Sequence, residues 1–390
     1  MRARLQDAIE KLNILGAASS FDVCAASCWP SRRGQPARAT TSIPGVYRAA
    51  IPGGGCISLF KVLMTDECLN DCAYCINQVD LKRHRSAFQP EELAATFMEF
   101  HRLGYAAGLF LTSAISGGAP HSMEPMLKAV DIVRHNYGFD GYIHLKVLPG
   151  APFQYVEQAC RLADRVSLNV EAPSPKHLAR LSSGKDLEKD ILAPMRWIKG
   201  LLGRPGISAS GQTTQFIVGA GTETDLETFE STARLYEEMG LSRVYFSAFR
   251  PIRGTLLQDQ PPAPPMREHR LYQVDWLLRV YGYAAAELKL AFSQQGNLSL
   301  EADPKQTVAW QEPWRYPIDI NRADYADLIR VPGIGPISAR RIVQARRDHT
   351  IDSLTDLRKM GVVTRRAAPL IHFPGHKPEG VQAPLPLALV

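Results

Sequence analysis

No apolar run in this 390-residue chain approaches the roughly 20 residues of a membrane-spanning helix, so no transmembrane segment and no membrane partner are expected. The opening MRARLQDAIEKLNILG also lacks the unbroken apolar stretch of a secretory signal, because Asp7, Glu10 and Lys11 interrupt it. Leu5, Ile9 and Leu12 instead mark one face of an amphipathic helix. The expected location is therefore cytoplasmic. Cysteine is scarce and odd in number, seven in all, which excludes a fully paired disulfide framework. What remains is ordinary: 45% hydrophobic and 22% charged residues, at a length that can bury a large core and hold two or more domains.

Charge is unevenly spread. Residues 1–56 hold seven Lys/Arg against three Asp/Glu, and residues 321–376 hold ten against five, which leaves the middle slightly acidic. Basic flanks around an acidic centre suggest contact with a polyanion.

From residue 57 strand-like and helix-like segments alternate. Strands are expected at 57–65, 107–115, 142–148, 165–171, 213–219 and 243–249. Helices are expected at 90–104, near 122–137, and at 153–164, 187–203 and 225–240. Six such units imply a parallel sheet covered by helices, either a partial barrel or an open sheet. The pattern stops at the proline-rich QDQPPAPPMREH, and a long helix is expected over 266–290. After the Pro-broken WQEPWRYP the texture turns short and Arg-rich. The expected divisions are a basic extension (1–56), the βα series (57–257), a connector with its helix (258–317), a C-terminal module (318–376) and a tail (377–390).

Three of the seven cysteines fall in MTDECLNDCAYCINQ as Cys68-x3-Cys72-x2-Cys75. Structural zinc is usually held by two separated ligand pairs, and no second Cys-x2-Cys follows. Buried, unligated thiols remain open, although a polar loop after a strand is a poor place to hide three of them. An iron–sulfur cluster remains as well, since thiolates suit iron and three of them leave one iron of four open. Cys24 and Cys28 in DVCAASCWPS and Cys56 in GGGCIS leave a second metal site open, but the ligand set is incomplete without distant help and they read as plain thiols; Cys160 reads as core.

This cysteine spacing in the loop after a first strand, with aromatic Tyr74 before the last thiol, resembles the radical S-adenosylmethionine superfamily. The resemblance implies a partial (βα)6 barrel and a [4Fe–4S] cluster on Cys68, Cys72 and Cys75. The open iron would bind S-adenosylmethionine (SAM). One electron, from a donor such as flavodoxin or ferredoxin, would release a 5′-deoxyadenosyl radical that abstracts hydrogen from substrate. Further SAM contacts carried over are Tyr74, Ser113 and Gly117 in LTSAISGG, Glu171 at the end of a strand, and Gly219 in FIVGAGTET. Glu223 is expected to cap the next helix with Thr222 or Thr224. Lys146 and Arg250, at strand ends, face either substrate or a salt-bridge partner. No catalytic residue is singled out.

NRADYADLIRVPGIGPISARRIVQARR closely resembles a helix–hairpin–helix motif, which grips a DNA backbone without reading bases. Leu328 and Val331 end one helix, PGIG turns, and Ala339, Ile342 and Val343 face the core of the next. The carried-over DNA contacts are Gly333, Ile334, Gly335, Arg340, Arg341, Arg346 and Arg347. SLTDLRKMGVVTRRAAPLI, with Gly361, Arg365 and Arg366, resembles a degenerate second copy. From about residue 20 to 370, segments such as LFKVLMTDECLNDCAYC, GYIHLKVLPGA and DPKQTVAW resemble a bacterial group of radical SAM proteins ascribed to DNA modification or repair. The fold class expected is thus α/β, a radical SAM partial barrel with a small all-α hairpin domain. Its partner would be DNA, held through the backbone with little sequence preference. A non-catalytic iron–sulfur DNA-binding protein, or a radical enzyme acting on RNA or a protein, stays open.

Overall fold

The computed structural model describes residues 2–19, 43–50 and 55–373. The chain forms two compact units, one drawn from residues up to 223 with 234–263, the other from 224–233 with residues from 264 onward. No helix among the described residues is long and apolar enough to cross a membrane.

In the first unit seven strands lie side by side in chain order: β1 (Val46–Ala50), β2 (Cys56–Leu63), β3 (Gly108–Thr112), β4 (Tyr142–Lys146), β5 (Arg165–Ser167), β6 (Gln212–Val218) and β7 (Arg243–Ala248). β2 to β7 run parallel, which is the order of a βα half-barrel, and β1 joins β2 antiparallel. The six parallel strands are those expected. The sequence reading does not foresee β1, which lies within the stretch taken as a basic extension. In the same stretch helix α1 (Arg2–Ser19) buries Ala8, Leu12 and Leu15 and leaves Ile9 45% exposed. The buried stripe is therefore displaced from the expected Ile9–Leu12 face.

The connecting helices are α2 (Pro90–Arg102), α3 (Ala119–Asp131), α4 (Phe153–Leu162), α5 (Pro175–Leu181), α6 (Ala193–Leu201) and α7 (Asp225–Met239). In α2, Pro90 pre-sets the first turn, and the Gln89 N–H donates to Glu92 Oε2 at 3.2 Å. Leu93, Ala94, Phe97 and Phe100 form its buried stripe, and Phe60 of β2 meets Phe97 and Phe100 at ring distances of 5.9 and 5.0 Å. Two expected elements are shorter. Residues 187–203 are not one α-helix: Leu187–Leu192 is a wide π-helical turn, and α6 starts beside Pro194, which has no N–H to continue the earlier ladder. The strand expected to reach 171 stops at Ser167, and Glu171, at a left-handed φ of 63°, makes only a single bridge to Phe216.

In the second unit the long helix expected over 266–290 ends early. α8 (Pro265–Arg279) stops before Gly282, whose φ of 71° no helix can use, and α9 (Ala285–Leu288) follows. Then come α10 (Pro304–Gln311), α11 (Tyr325–Leu328), α12 (Pro336–Ala345), α13 (Leu354–Lys359) and α14 (Thr364–Ala367). A two-residue parallel pair, β8 (Ile318–Asp319) with β9 (Ile371–His372), joins the ends of the hairpin region. Leu328, Val331, Ile334, Ala339, Ile342, Leu357, Val362 and Ala367 form its core, with Val343 packed against them.

Candidate cofactor site and nucleic-acid interface

The loop after β2 is wired in place. Asp66 is buried, pairs with Arg83, and accepts the Ser86 N–H at 2.7 Å. Arg85 donates to the carbonyls of Asp66, Asn77, Gln78 and Leu81 at 2.6–3.1 Å. One guanidinium thus fixes both ends of the cysteine segment. Cys68, Cys72 and Cys75 are unbridged thiols, Cys72 buried and the others half-buried. Burial, then Cys72, pushes the Cys75 thiol up to about 12, and Cys68 adds to the effect. Cys68 and Cys72 are therefore close enough to oppose ionisation of Cys75, which bound iron would reverse. Among the described residues no three His/Cys/Asp/Glu side chains are drawn together around a single ion. Three free thiols in one short loop, with Cys68 and Cys72 near enough to act on Cys75, offer the thiolate donors that an iron–sulfur cluster takes. The donor set therefore fits a cluster.

Loops at the same end of the sheet carry the other expected contacts. Ile115 O accepts the Leu69 N–H at 2.8 Å, which joins the LTSAISGG loop to the cysteine loop. Ser113 Oγ and Glu171 Oε2 are buried and have no hydrogen-bond partner. A carboxylate oxygen so placed, on a residue with strained left-handed backbone, is what a ligand amine or hydroxyl would satisfy. Gly117, at φ 70°, leaves room that a Cβ would take, 2.7 Å from the His121 ring. The Tyr74 hydroxyl lies beside Glu171, and burial followed by that carboxylate raises its pKa well above the usual phenol range. These residues fit SAM.

Glu223 departs from expectation. It turns back to accept the N–H groups of Gly219 and Gly221, the latter at 2.9 Å, and so shapes the loop that carries Gly219. Thr224 caps α7, its Oγ1 accepting the Glu227 N–H at 3.1 Å. Lys146 is buried at the end of β4, Arg250 is exposed after β7, and Cys160 is buried in α4. Cys56 is disulfide-bonded, contrary to the plain thiol expected, while Cys24 and Cys28 lie outside the described residues.

Sequence reasoning missed Lys185. The loop after α5 is strapped to the cysteine loop. Ala73 N–H donates to Leu181 O at 2.8 Å, and the hydroxyls of Ser182 and Ser183 donate to Asp71 at 2.9 and 2.6 Å. This strap brings Lys185 Nζ to 3.4 Å from the Tyr74 hydroxyl. Burial works to lower its pKa, but Cys72 and Glu171 outweigh that and hold the ammonium charged. No local pattern in LSSGKD ties it to thiols more than a hundred residues earlier.

In the second unit the two hairpins interlock. Gly333 (φ 94°) accepts the Val363 N–H at 2.9 Å, and a Cβ there would stand 2.5 Å from Val363 O. Gly361 (φ 88°) approaches Ser338 of α12 in return. Gly333 thus faces the other hairpin rather than open space, and Ile334 is core. Arg346 is half-buried and donates to the Ala323 carbonyl. Of the expected contacts, Gly335, Arg340, Arg341 and Arg347 remain on the outside, with Gly335 half-buried at the start of α12 and the three arginines exposed.

Residues 62–236 match the Radical SAM superfamily, and residues 315–367 match the helix-hairpin-helix motif. No curated protein matches the chain. Among solved structures, HydG, a maturase of the [FeFe]-hydrogenase, aligns with a TM-score of 0.45 and 11% identity over 56% of this chain and 49% of that one. Methylornithine synthase (PylB) aligns at 0.43 and 16% over 54% and 59%. SuiB from Streptococcus suis, bound to SAM, aligns at 0.43 and 10% over 56% and 47%. The chain thus spans about half of each of these proteins. It carries a radical SAM superfamily domain and, toward its C-terminal end, a helix-hairpin-helix motif.

Proposed function

We propose that the chain is a radical SAM enzyme that modifies or repairs DNA, working in the cytoplasm with a flavodoxin- or ferredoxin-type electron donor. The observation that carries this reading is the thiol trio at the C-terminal ends of the parallel strands. Loops at the same end carry Ser113 Oγ and Glu171 Oε2, both buried without a hydrogen-bond partner, and the same chain holds a pair of interlocked hairpins. Cys68, Cys72 and Cys75 would hold a [4Fe–4S] cluster. Ser113, Gly117, Glu171 and Gly219 would hold SAM, with Tyr74 against it. When bound, the two supply one-electron chemistry that ends in hydrogen abstraction from substrate.

The chain's own residues position and shield. Arg85 and Asp66 keep the cysteine loop in shape, and Asp71 anchors the strap that brings Lys185 beside Cys72 and Glu171. Glu171 would accept a hydrogen bond from the ligand, and the Lys185 ammonium would offset the negative charge of thiolates and carboxylate. Gly335 and the exposed arginines of α12 would hold backbone phosphates. The test is SAM cleavage by reduced, reconstituted protein with and without duplex DNA. The reading expects 5′-deoxyadenosine in both, and faster with DNA; a rate that DNA leaves unchanged would count against a DNA substrate.

A further inference from the structure

Lys305, in the first turn of α10, is buried, and its ammonium donates to the Ile334 carbonyl of the PGIG turn at 2.6 Å. The same ammonium stands 4.8 Å from the centre of the Tyr281 ring, whose hydroxyl abuts Gly335 on that turn. Asp303 fixes the start of α10 by accepting the Gln306 N–H at 3.0 Å, and it pairs with Arg366 of α14. Burying an ammonium is costly, and an apolar side chain would fill the same space without that cost. The charge itself calls for a role.

The Ile334–Gly335 peptide is trans, so its C=O and N–H point in opposite directions. With the carbonyl held on Lys305, the Gly335 N–H points away from it and has no backbone acceptor among the described residues. Gly335 is the N-cap of α12, whose first N–H groups also have no intrahelical acceptor. A cation on the oxygen draws electron density through the peptide and strengthens the N–H at its far end as a donor.

We propose that Lys305 is a built-in cation of the nucleic-acid interface, polarising the Ile334–Gly335 peptide so that Gly335 and the start of α12 hold a backbone phosphodiester. This rests on the DNA reading above and adds a positioning residue to it. The charged or titratable groups facing Lys305 are Asp303 at its own helix start, Arg366 of α14 and Tyr281 beyond α8; Arg270 of α8 feels the same Asp303 and Arg366. Burial, then Arg366, presses the Lys305 pKa down to about 7 against the pull of Asp303. An arriving phosphate favours the protonated form, so affinity falls as pH rises through that value.

The test is fluorescence anisotropy of the full chain on a duplex of arbitrary sequence, from pH 6 to pH 9 at fixed ionic strength. Wild type is expected to lose affinity about five- to tenfold across that range, the size of one partly screened charge. Lys305→Met should bind at pH 6 as weakly as wild type does at pH 9, with a flat profile. Lys305→Arg, charged throughout, should be flat at the stronger level. Slopes are compared between variants in one buffer. Without DNA, glycine-selective 15N labelling should show the Gly335 amide titrating in wild type and not in Lys305→Met. If Lys305→Met fails to fold, Lys305→Arg decides. A wild-type slope in either folded variant overturns the role of Lys305. Absence of salt-sensitive binding by wild type removes the DNA reading itself.

Discussion

Lys185 Nζ lies 3.4 Å from the hydroxyl of Tyr74, the residue that immediately precedes the last thiol of the cysteine loop. The pair is 111 residues apart in the chain and is held by the Asp71 strap. If the ammonium balances negative charge in this pocket, Lys185→Met should keep its iron yet weaken SAM binding by about ten- to a hundredfold, the worth of a charge-assisted hydrogen bond. Equilibrium dialysis against SAM, with iron analysis of the same samples, checks this. Unchanged affinity would reduce Lys185 to a loop support.

The cysteine loop makes a simpler demand. Anaerobically reconstituted protein should hold about four irons per chain, and Cys68→Ala, Cys72→Ala and Cys75→Ala should each lose most of them, because two thiolates hold such a cluster poorly. Full iron content in all three variants would refute the ligand set. Glu171→Ala should behave differently, keeping the cluster's absorbance while SAM affinity drops, since Glu171 Oε2 is a buried acceptor with no partner of its own.

Gly333→Val tests the interlock between hairpins. The new Cβ would meet the Val363 carbonyl oxygen at 2.5 Å on a backbone at φ 94°. We expect a loss of roughly 3 kcal/mol or more in the second unit, measured by urea unfolding. The double change Arg340→Ala, Arg341→Ala should leave stability nearly unaltered and make the salt slope of DNA binding shallower by up to about 2.

Lys305 also sets a sign for stability. Its pKa in the folded chain, about 7, lies below its value in the unfolded chain. Above pH 7 the unfolded state holds a proton that the native state has released, so stability rises with pH by up to roughly 1.4 kcal/mol per unit until the unfolded lysine titrates near pH 10. Below pH 7 both states are protonated and the contribution is flat. Lys305→Met should remove the rise between pH 7 and 9, read as the difference between the two proteins in parallel melts.

The sequence carried the cysteine loop and the PGIG turn because each packs its chemistry into a few adjacent residues. The six parallel strands were legible for a similar reason, since every βα unit repeats one local pattern. Lys185 and Lys305 were not, because only tertiary packing brings one to Tyr74 and the other to Ile334. VYRAA gave no signal as a strand, being short and flanked by loop. Glu223 was read as a cap because it precedes a helix, yet the N–H groups of Gly219 and Gly221 held it instead. Gly333 belongs to the PGIG turn legible in the sequence, but its approach to Val363 of the second hairpin is set by tertiary packing.

The central claim is that this chain directs radical chemistry onto DNA. The direct measurement is deuterium transfer: reduced, reconstituted protein is incubated anaerobically with SAM and uniformly deuterated duplex DNA, and the 5′-deoxyadenosine formed is weighed by mass spectrometry. The account expects deuterium in that product, together with altered nucleosides in the digested DNA. 5′-Deoxyadenosine that forms in quantity yet carries no deuterium, beside unaltered nucleosides, would contradict it.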